Sequence, residues 1–165
     1  MVRLATEKDI DRILEIYDMA KHFMHTNGNP TQWNGKYPER ELILDDIQKE
    51  HFFVIVDEED DKVCGCFALI DGDDPTYEYI EGEWKSYEPY ATIHRIASSG
   101  TRKGIFSECV SFARGKYDHL RVDTHEDNKP MQRVVSENGF EYAGIIYIGD
   151  GTPRKAYEWK GERSK

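Results

Sequence analysis

Apolar positions along the chain follow a helical period first and a strand period later. Residues 2–5 read as a short strand. Thr6 is placed to cap a helix, with Asp9 in the first turn where negative charge suits the helix dipole. Ile10, Ile13, Leu14, Tyr17 and Met24 then recur at helical spacing, which predicts a helix over 7–24 with one face turned inward. Asn27-Gly28-Asn29-Pro30 stops it. After a loop over 31–37, Pro38 suits a first helical turn, and Leu42, Ile43 and Ile47 predict a shorter helix to about residue 50. The period then changes. Runs at 52–56 and 62–70, separated by an acidic turn, predict an antiparallel hairpin. A third β run covers 92–98. Ile105, Phe106, Cys109, Val110, Phe112 and Ala113 mark a helix ending near Gly115, and 119–124 reads as a strand. Asn128 and Pro130 open a further helix, with Met131, Val134 and Val135 on its inner face and Gly139 as its stop. Closing strands fall at 140–148 and 155–159. The order β-α-α-β-β-β-α-β-α-β-β predicts an α/β fold of α+β character, a mixed sheet with helices on both faces.

Residues 71–90 fit neither period. Tyr77, Tyr79, Trp84, Tyr87 and Tyr90 stand there among seven carboxylates. A connection this long is more often functional than idle. A solvated or disordered acidic loop that happens to hold aromatics is the equal alternative.

Composition narrows the choice. The 165 residues suit a single domain spanning 1–165. Seven Phe, ten Tyr and three Trp supply large side chains to bury, which argues against global disorder. With 22 Lys+Arg against 32 Asp+Glu the formal net charge is −10, a surface that repels phosphate backbones and excludes nucleic acid as a general partner. No apolar run approaches the roughly 20 residues of a membrane span, and the N-terminus lacks a signal-peptide core. Cys64, Cys66 and Cys109 are an odd number without metal-ligand spacing, so reduced core thiols in a cytoplasmic protein are expected.

One stretch stands out chemically. Residues 92–98 run into a turn with Gly100, Arg102, Lys103 and Gly104, and the turn runs into the helix at 105. Free N–H groups at a helix start bind anions, and glycine lets a phosphate approach the backbone. The two cations lie on an otherwise strongly negative chain. The spacing is not that of a Walker A loop. A phosphate or pyrophosphate cradle is one reading of this stretch; a surface turn with a helix cap is the other.

Arg102-Lys103-Gly104-Ile105 resembles the phosphate-binding turn of the GNAT superfamily of acyl-CoA-dependent N-acetyltransferases. Asn128, its helix, Gly139-Phe140 and Gly144 resemble that family's Asn-initiated helix and Gly-Phe ending. The element order agrees over almost the whole chain. The resemblance implies a mostly antiparallel central sheet, acetyl-CoA as co-substrate with no metal, and transfer of an acetyl group to a primary amine by direct attack on the thioester. It places the pantetheine arm against the backbone of Ile96, Ala97 and Ser98. The diphosphate falls on Lys103, Gly104, Ile105, Phe106 and Ser107 with Arg102 near, and Asn128 binds the arm or the phosphate side. Trp33 and Tyr37 then help cover the acceptor, a small-molecule or peptide amine; a homodimer is left open. Two departures bear on function. Phe106 replaces a small residue and is expected to narrow the cradle. Val135 stands where many members have a Tyr, so the usual thiol-protonating acid is missing.

His94, on the reactive strand, titrates in the useful range and is the candidate general base; a hydrogen-bonded core histidine is the bland alternative. Arg95 reads as a paired structural cation. His125 and Glu126 are runner-up bases, and Ser136 or Tyr142 runner-up acids. Two rival readings remain: a non-catalytic acyl-CoA-binding module of the same fold, and a metal hydrolase using His94, His119 and His125, for which the ligand spacing is poor.

Overall fold

The computed structural model describes residues 1–30, 32–33 and 37–161. Its strands are β1 (Val2–Leu4), β2 (Phe52–Val56), β3 (Val63–Asp71), β4 (Glu81–Gly82), β5 (Ala91–Ser98), β6 (His119–Thr124), β7 (Glu141–Tyr147) and β8 (Pro153–Lys160). Its helices are α1 (Ile10–Thr26), α2 (Arg40–Gln48), α3 (Ile105–Arg114) and α4 (Lys129–Glu137). The strands form one sheet in the order β1-β2-β3-β5-β6-β8-β7-β4. Among the described residues β5–β6 is the single parallel pairing, so the mixed, mostly antiparallel sheet is as expected.

β2 is buried at every position because both sheet faces are covered. Phe52, Val54 and Val56 meet Ile13, Ile16, Tyr17, Ile43 and Ile47 of α1 and α2 on one face. Phe53 and Ile55 meet Ile105, Phe106, Cys109 and Val110 of α3 and Val135 of α4 on the other. The stripe read at Ile10, Ile13 and Tyr17 is the buried face of α1, and all three are at most 5% exposed. Its start differs from expectation. Residues 7–9 form a separate 3-10 turn with Thr6 at its N-cap, and the Asp9 carboxylate closes the capping box: it accepts the Thr6 amide at 2.8 Å and two guanidinium bonds from Arg3 at 2.9 Å. α2 begins at Arg40, two residues after Pro38.

Residues 71–90 are a fastened attachment to the far end of the sheet, neither a solvated loop nor disordered. Tyr77, Trp84 and Tyr90 are buried against Ile146 and Ala156, while Tyr79 and Tyr87 stay exposed. The Arg121 guanidinium lies 3.9 Å from the ring centroids of both Trp84 and Tyr90 and donates to the Ser86 carbonyl at 2.8 Å. His119 bridges the Glu88 carbonyl and the Glu158 carboxylate, at 3.0 Å each. β4 crosses β7 where Gly82 faces Gly144. A Cβ on Gly82 would stand 2.2 Å from the Ala143 carbonyl oxygen, and one on Gly144 2.3 Å from that of Glu81, so only glycine permits this approach. Cys64, Cys66 and Cys109 are free and buried, and burial pushes the Cys66 thiol up to about 12. Among the described residues no helix is long and apolar enough to cross a membrane.

Candidate active site

The site begins with a fault in β5. Cys66 pairs with Ala97 and Ala68 with His94, so three steps along β5 oppose two along β3. The extra residue is accommodated at Arg95, whose φ is +53°, a conformation that costs a side-chain-bearing residue free energy. Two helices hold it there. The Tyr17 hydroxyl of α1 donates to the Arg95 carbonyl at 2.5 Å, and the buried Asp46 of α2 pairs with the Arg95 guanidinium at 2.5 Å. Arg95 is therefore a structural cation. The bulge turns β5 away from β6: the two strands pair only at Ala91↔Leu120 and Thr92↔Arg121. Beyond Thr92 the strands part, and among the described residues the backbone edge of β5 facing β6 has no strand partner there.

A pocket of about 450 Å³ opens beside that gap, lined by His94, Arg95 and Ile96 of β5, Val122, Asp123 and Thr124 of β6, and Trp33, Tyr37, Asp74, Asn128 and Arg154. Trp33 is buried edge-on against Tyr17, with ring centroids 5.3 Å apart, and Tyr37 is exposed at the rim. Thr31 and residues 34–36 of that loop lie outside the described residues. Both aromatics expected near the acceptor thus line the same pocket as His94.

His94 Nε2 lies 2.9 Å from Asp74 Oδ2. An ionised carboxylate only accepts, so the bond puts the ring proton on Nε2 and leaves Nδ1 as the lone-pair nitrogen of the neutral ring. Asp74 also accepts the Thr76 amide at 2.9 Å and its hydroxyl at 2.7 Å. Burial alone would raise the Asp74 carboxyl. The bonds from His94 and Thr76 outweigh it and hold the group at about 2, below its ordinary 3.8. A depressed carboxyl contributes stability that is present above its unfolded value and lost as pH falls through its folded one. Between about pH 5 and pH 2 the wild type should lose roughly 2 kcal/mol that Asp74→Asn does not lose, read from urea unfolding at both pH values. Equal losses in the two proteins would remove this assignment.

Asp123 behaves oppositely. Burial pushes its carboxyl above the ordinary range, against the pull of His94 and of the Tyr77 hydroxyl, which donates to it at 2.6 Å. Sequence alone points to neither Asp74 nor Asp123, and to Tyr77 only as one of the aromatics of 71–90. Asp74-Pro75 was a legible turn start, and the carboxyl end of a parallel strand is a favoured ligand position, which marks Asp123. Nothing local marked Arg154.

The glycine turn forms the second half of the site. Gly104 is the N-terminal flanking residue of α3 at φ +81°, no side chain among the described residues caps the helix, and a Cβ there would meet nothing within 4 Å. The first α3 amide with a main-chain partner is that of Glu108, to the Gly104 carbonyl. Ile105 and Phe106 are buried in the core, Phe106 beside Phe140 at 6.2 Å, while Lys103 and Ser107 are exposed. Phe106 therefore does not narrow the cradle: its ring points into the core, away from the helix start. Arg102 is tied to the Glu108 carboxylate. Ala97 is buried opposite Cys66, and Ser98 pairs with Gly65 while its hydroxyl accepts the Gly100 amide at 3.0 Å. Asn128 caps α4 by accepting the Met131 amide at 3.2 Å and donates to Gln32 at 3.0 Å.

The remaining candidates lie elsewhere. His125 accepts the Asp127 amide at 3.0 Å, and Gln132 donates to the carbonyls of His125 and Glu126, so both residues belong to the turn that precedes α4. Val135 is fully buried, Ser136 is exposed, and Tyr142 is exposed with its ring edge-on to Tyr157. His94, His119 and His125 have separate partners, and no group of three metal-ligating side chains is assembled among the described residues.

Several solved structures share this architecture. An acetyltransferase of the GNAT family from Streptococcus agalactiae 2603 is 32% identical, with 99% of this chain and 96% of that one covered and a TM-score of 0.87. An acetyltransferase of the GNAT family from Listeria monocytogenes 4b F2365 is 18% identical, with 97% and 94% covered and a TM-score of 0.71. An N-acetyltransferase from Staphylococcus aureus Mu50 is 23% identical, with 97% of each chain covered and a TM-score of 0.62. The last two likenesses bear on the fold alone. No protein-family model matches the chain. No curated protein matches it.

Proposed function

This chain belongs to the GNAT family of acetyltransferases, and from that premise we propose that it moves an acetyl group from acetyl-CoA to the primary amine of a small-molecule or peptide acceptor. The single observation that supports the reading best is the alignment of an open strand edge, an uncapped helix start and a His–carboxylate pair along one strand, β5. The residues fit the co-substrate. The side chains of Ile105 and Phe106 turn inward, so the amides of residues 103–107 are left for a diphosphate, with Lys103 adding charge and Arg102 tied to Glu108 nearby. The free edge at Ile96, Ala97 and Ser98 suits main-chain pairing with the pantetheine arm. Asn128, already bonded to Met131 and Gln32, keeps a place on the pocket wall.

Acetyl-CoA supplies an acyl group activated as a thioester, with a thiolate leaving group whose pKa is about 8.5. The chain supplies the rest. An amine with a lysine-like pKa of about 10.4 is protonated at neutral pH, and His94 takes the proton it must lose at Nδ1. Asp74 holds the ring in that tautomer and stabilises the imidazolium. Main-chain amides of β5 polarise the thioester carbonyl. As the C–N bond forms and the C–S bond breaks, the electron pair leaves with the sulfur and solvent protonates the thiolate, Val135 having no proton to give. Free buried thiols suit a reducing, cytoplasmic compartment.

Isothermal titration with acetyl-CoA and a thiol-release assay over an amine panel test the reading. Heat without thiol would leave only an acyl-CoA-binding module, and no heat at millimolar ligand would end both readings. Ser107→Glu tests the cradle. It places a carboxylate in the first turn of α3, where it favours the helix, so stability should hold or rise by a few tenths of a kcal/mol. The same charge opposes a diphosphate there, so acetyl-CoA affinity should fall roughly tenfold or more by titration. Gly104→Glu is a poorer probe, because φ +81° adds backbone strain. Undiminished affinity in Ser107→Glu would mean the phosphates bind elsewhere.

A further inference from the structure

The ionisable groups around the pocket are not equally satisfied. Asp74 receives His94 and Thr76, and Asp123 receives the Tyr77 hydroxyl at 2.6 Å. Asp150 accepts the Thr152 amide at 2.9 Å and its hydroxyl at 2.6 Å. Arg154, only 5% exposed, is the exception. Its hydrogen bonds among the described residues all go to neutral oxygens: Nη1 donates to Thr152 Oγ1 at 3.1 Å and to the Pro153 carbonyl at 2.8 Å, and Nη2 to the Gln32 carbonyl at 3.4 Å. A guanidinium this buried normally has a carboxylate bonded to its fork. Its planar fork presents five donors, more than these neutral contacts use.

The place of Arg154 matters as much as its bonding. Asp123 interacts electrostatically with both His94 and Arg154, so the candidate base and the guanidinium flank one carboxyl. Trp33, Ile93, Ile96, Val122, Met131 and Ile148 give the same pocket apolar walls. A ligand matching this set has an amine and an acidic group close together on an apolar body.

We propose that the acceptor is an α-amino acid with an apolar side chain, whose carboxylate is bound by the buried Arg154 fork while its amine is presented to His94. The proposal rests on the acyl-transfer reading above. The carboxylates of Asp74, Asp123 and Asp150 favour the ammonium on arrival, and Arg154 selects against amines that lack the acid. A site built to bond an acidic group rejects analogues without it, because the buried donors are then left unpaired.

The test is thiol release from acetyl-CoA with leucine, methionine and phenylalanine, each compared with the amine left when its carboxylate is removed. The wild type should prefer the amino acid in kcat/KM by roughly 10- to 100-fold, the range of a charge-assisted hydrogen bond. Arg154→Met should reduce that ratio to near one, and Arg154→Lys should keep part of it. Decarboxylated amines turned over as fast as the amino acids by the wild type would overturn the proposal and leave acyl transfer standing; this comparison needs no variant to fold. A full wild-type ratio in Arg154→Met would overturn it as well. Thiol release with no member of either set would overturn the proposal; the reading beneath it falls only if the wider amine panel is silent as well.

Discussion

Replacing His94 with Ala lowers kcat/KM for the amine acceptor at neutral pH by at least about 100-fold, the range expected when a positioned general base is lost. The side chain is partly exposed, and Asp74 keeps its two bonds from Thr76, so folding should survive the change. The pH profile is the sharper readout. With the base present, the amine is deprotonated within the pocket, so the rate depends only weakly on how much acceptor has already lost its proton in solution. Without it, only acceptor that has already lost its proton in solution reacts, so the rate should keep climbing with pH toward the amine's own pKa. Asp74→Asn should give a smaller loss, since the ring remains and only its tautomer and orientation are released. Normal turnover in His94→Ala, whatever happened to its stability, would reduce the residue to a packed histidine.

Trp84→Ala should cost about 3–5 kcal/mol, as for other buried large aromatic residues. The indole is 2% exposed, donates to the Tyr77 carbonyl at 3.1 Å and stacks on the Arg121 guanidinium at 3.9 Å. Removing it leaves Arg121 buried with Tyr90 alone on its face. The effect should reach the chemistry, because the same segment places Asp74: the Asp74 amide donates to the Tyr90 hydroxyl at 2.8 Å, and Tyr90 packs in the cluster with Trp84. Below its lowered melting temperature the variant should therefore show a reduced kcat and the weakened acid dependence of Asp74→Asn. A variant as stable as the wild type, or one destabilised but fully active, would uncouple residues 71–90 from the site.

Both experiments depend on residues of different legibility. His94 was visible because it sits in a β run that leads into a glycine turn and a helix, all within a dozen residues. The inward face of α1, the hairpin of β2 and β3, and the stripe of α3 were equally plain, since burial imposes a local period on local sequence. The Thr6 cap was legible as well; what no local pattern showed is that the Asp9 carboxylate closing the capping box also takes Arg3. Residues 71–90 defeated the reading because their aromatics follow no period. Each one is placed by a separate distant partner, such as Arg121 for Trp84 and Asp123 for Tyr77.

By itself the sequence determined the alternation of helices and strands, the strand on which His94 stands and the glycine turn that opens the helix at 105, because each follows from spacing within a few turns of chain. Only the tertiary structure decided that β5 would bulge at Arg95 and part from β6, that Phe106 would turn into the core, and that Asp74, Asp123 and Arg154 would meet around one pocket. Those outcomes depend on strand order and on contacts between residues far apart in the chain, and no local pattern encodes which distant carboxylate a histidine will find.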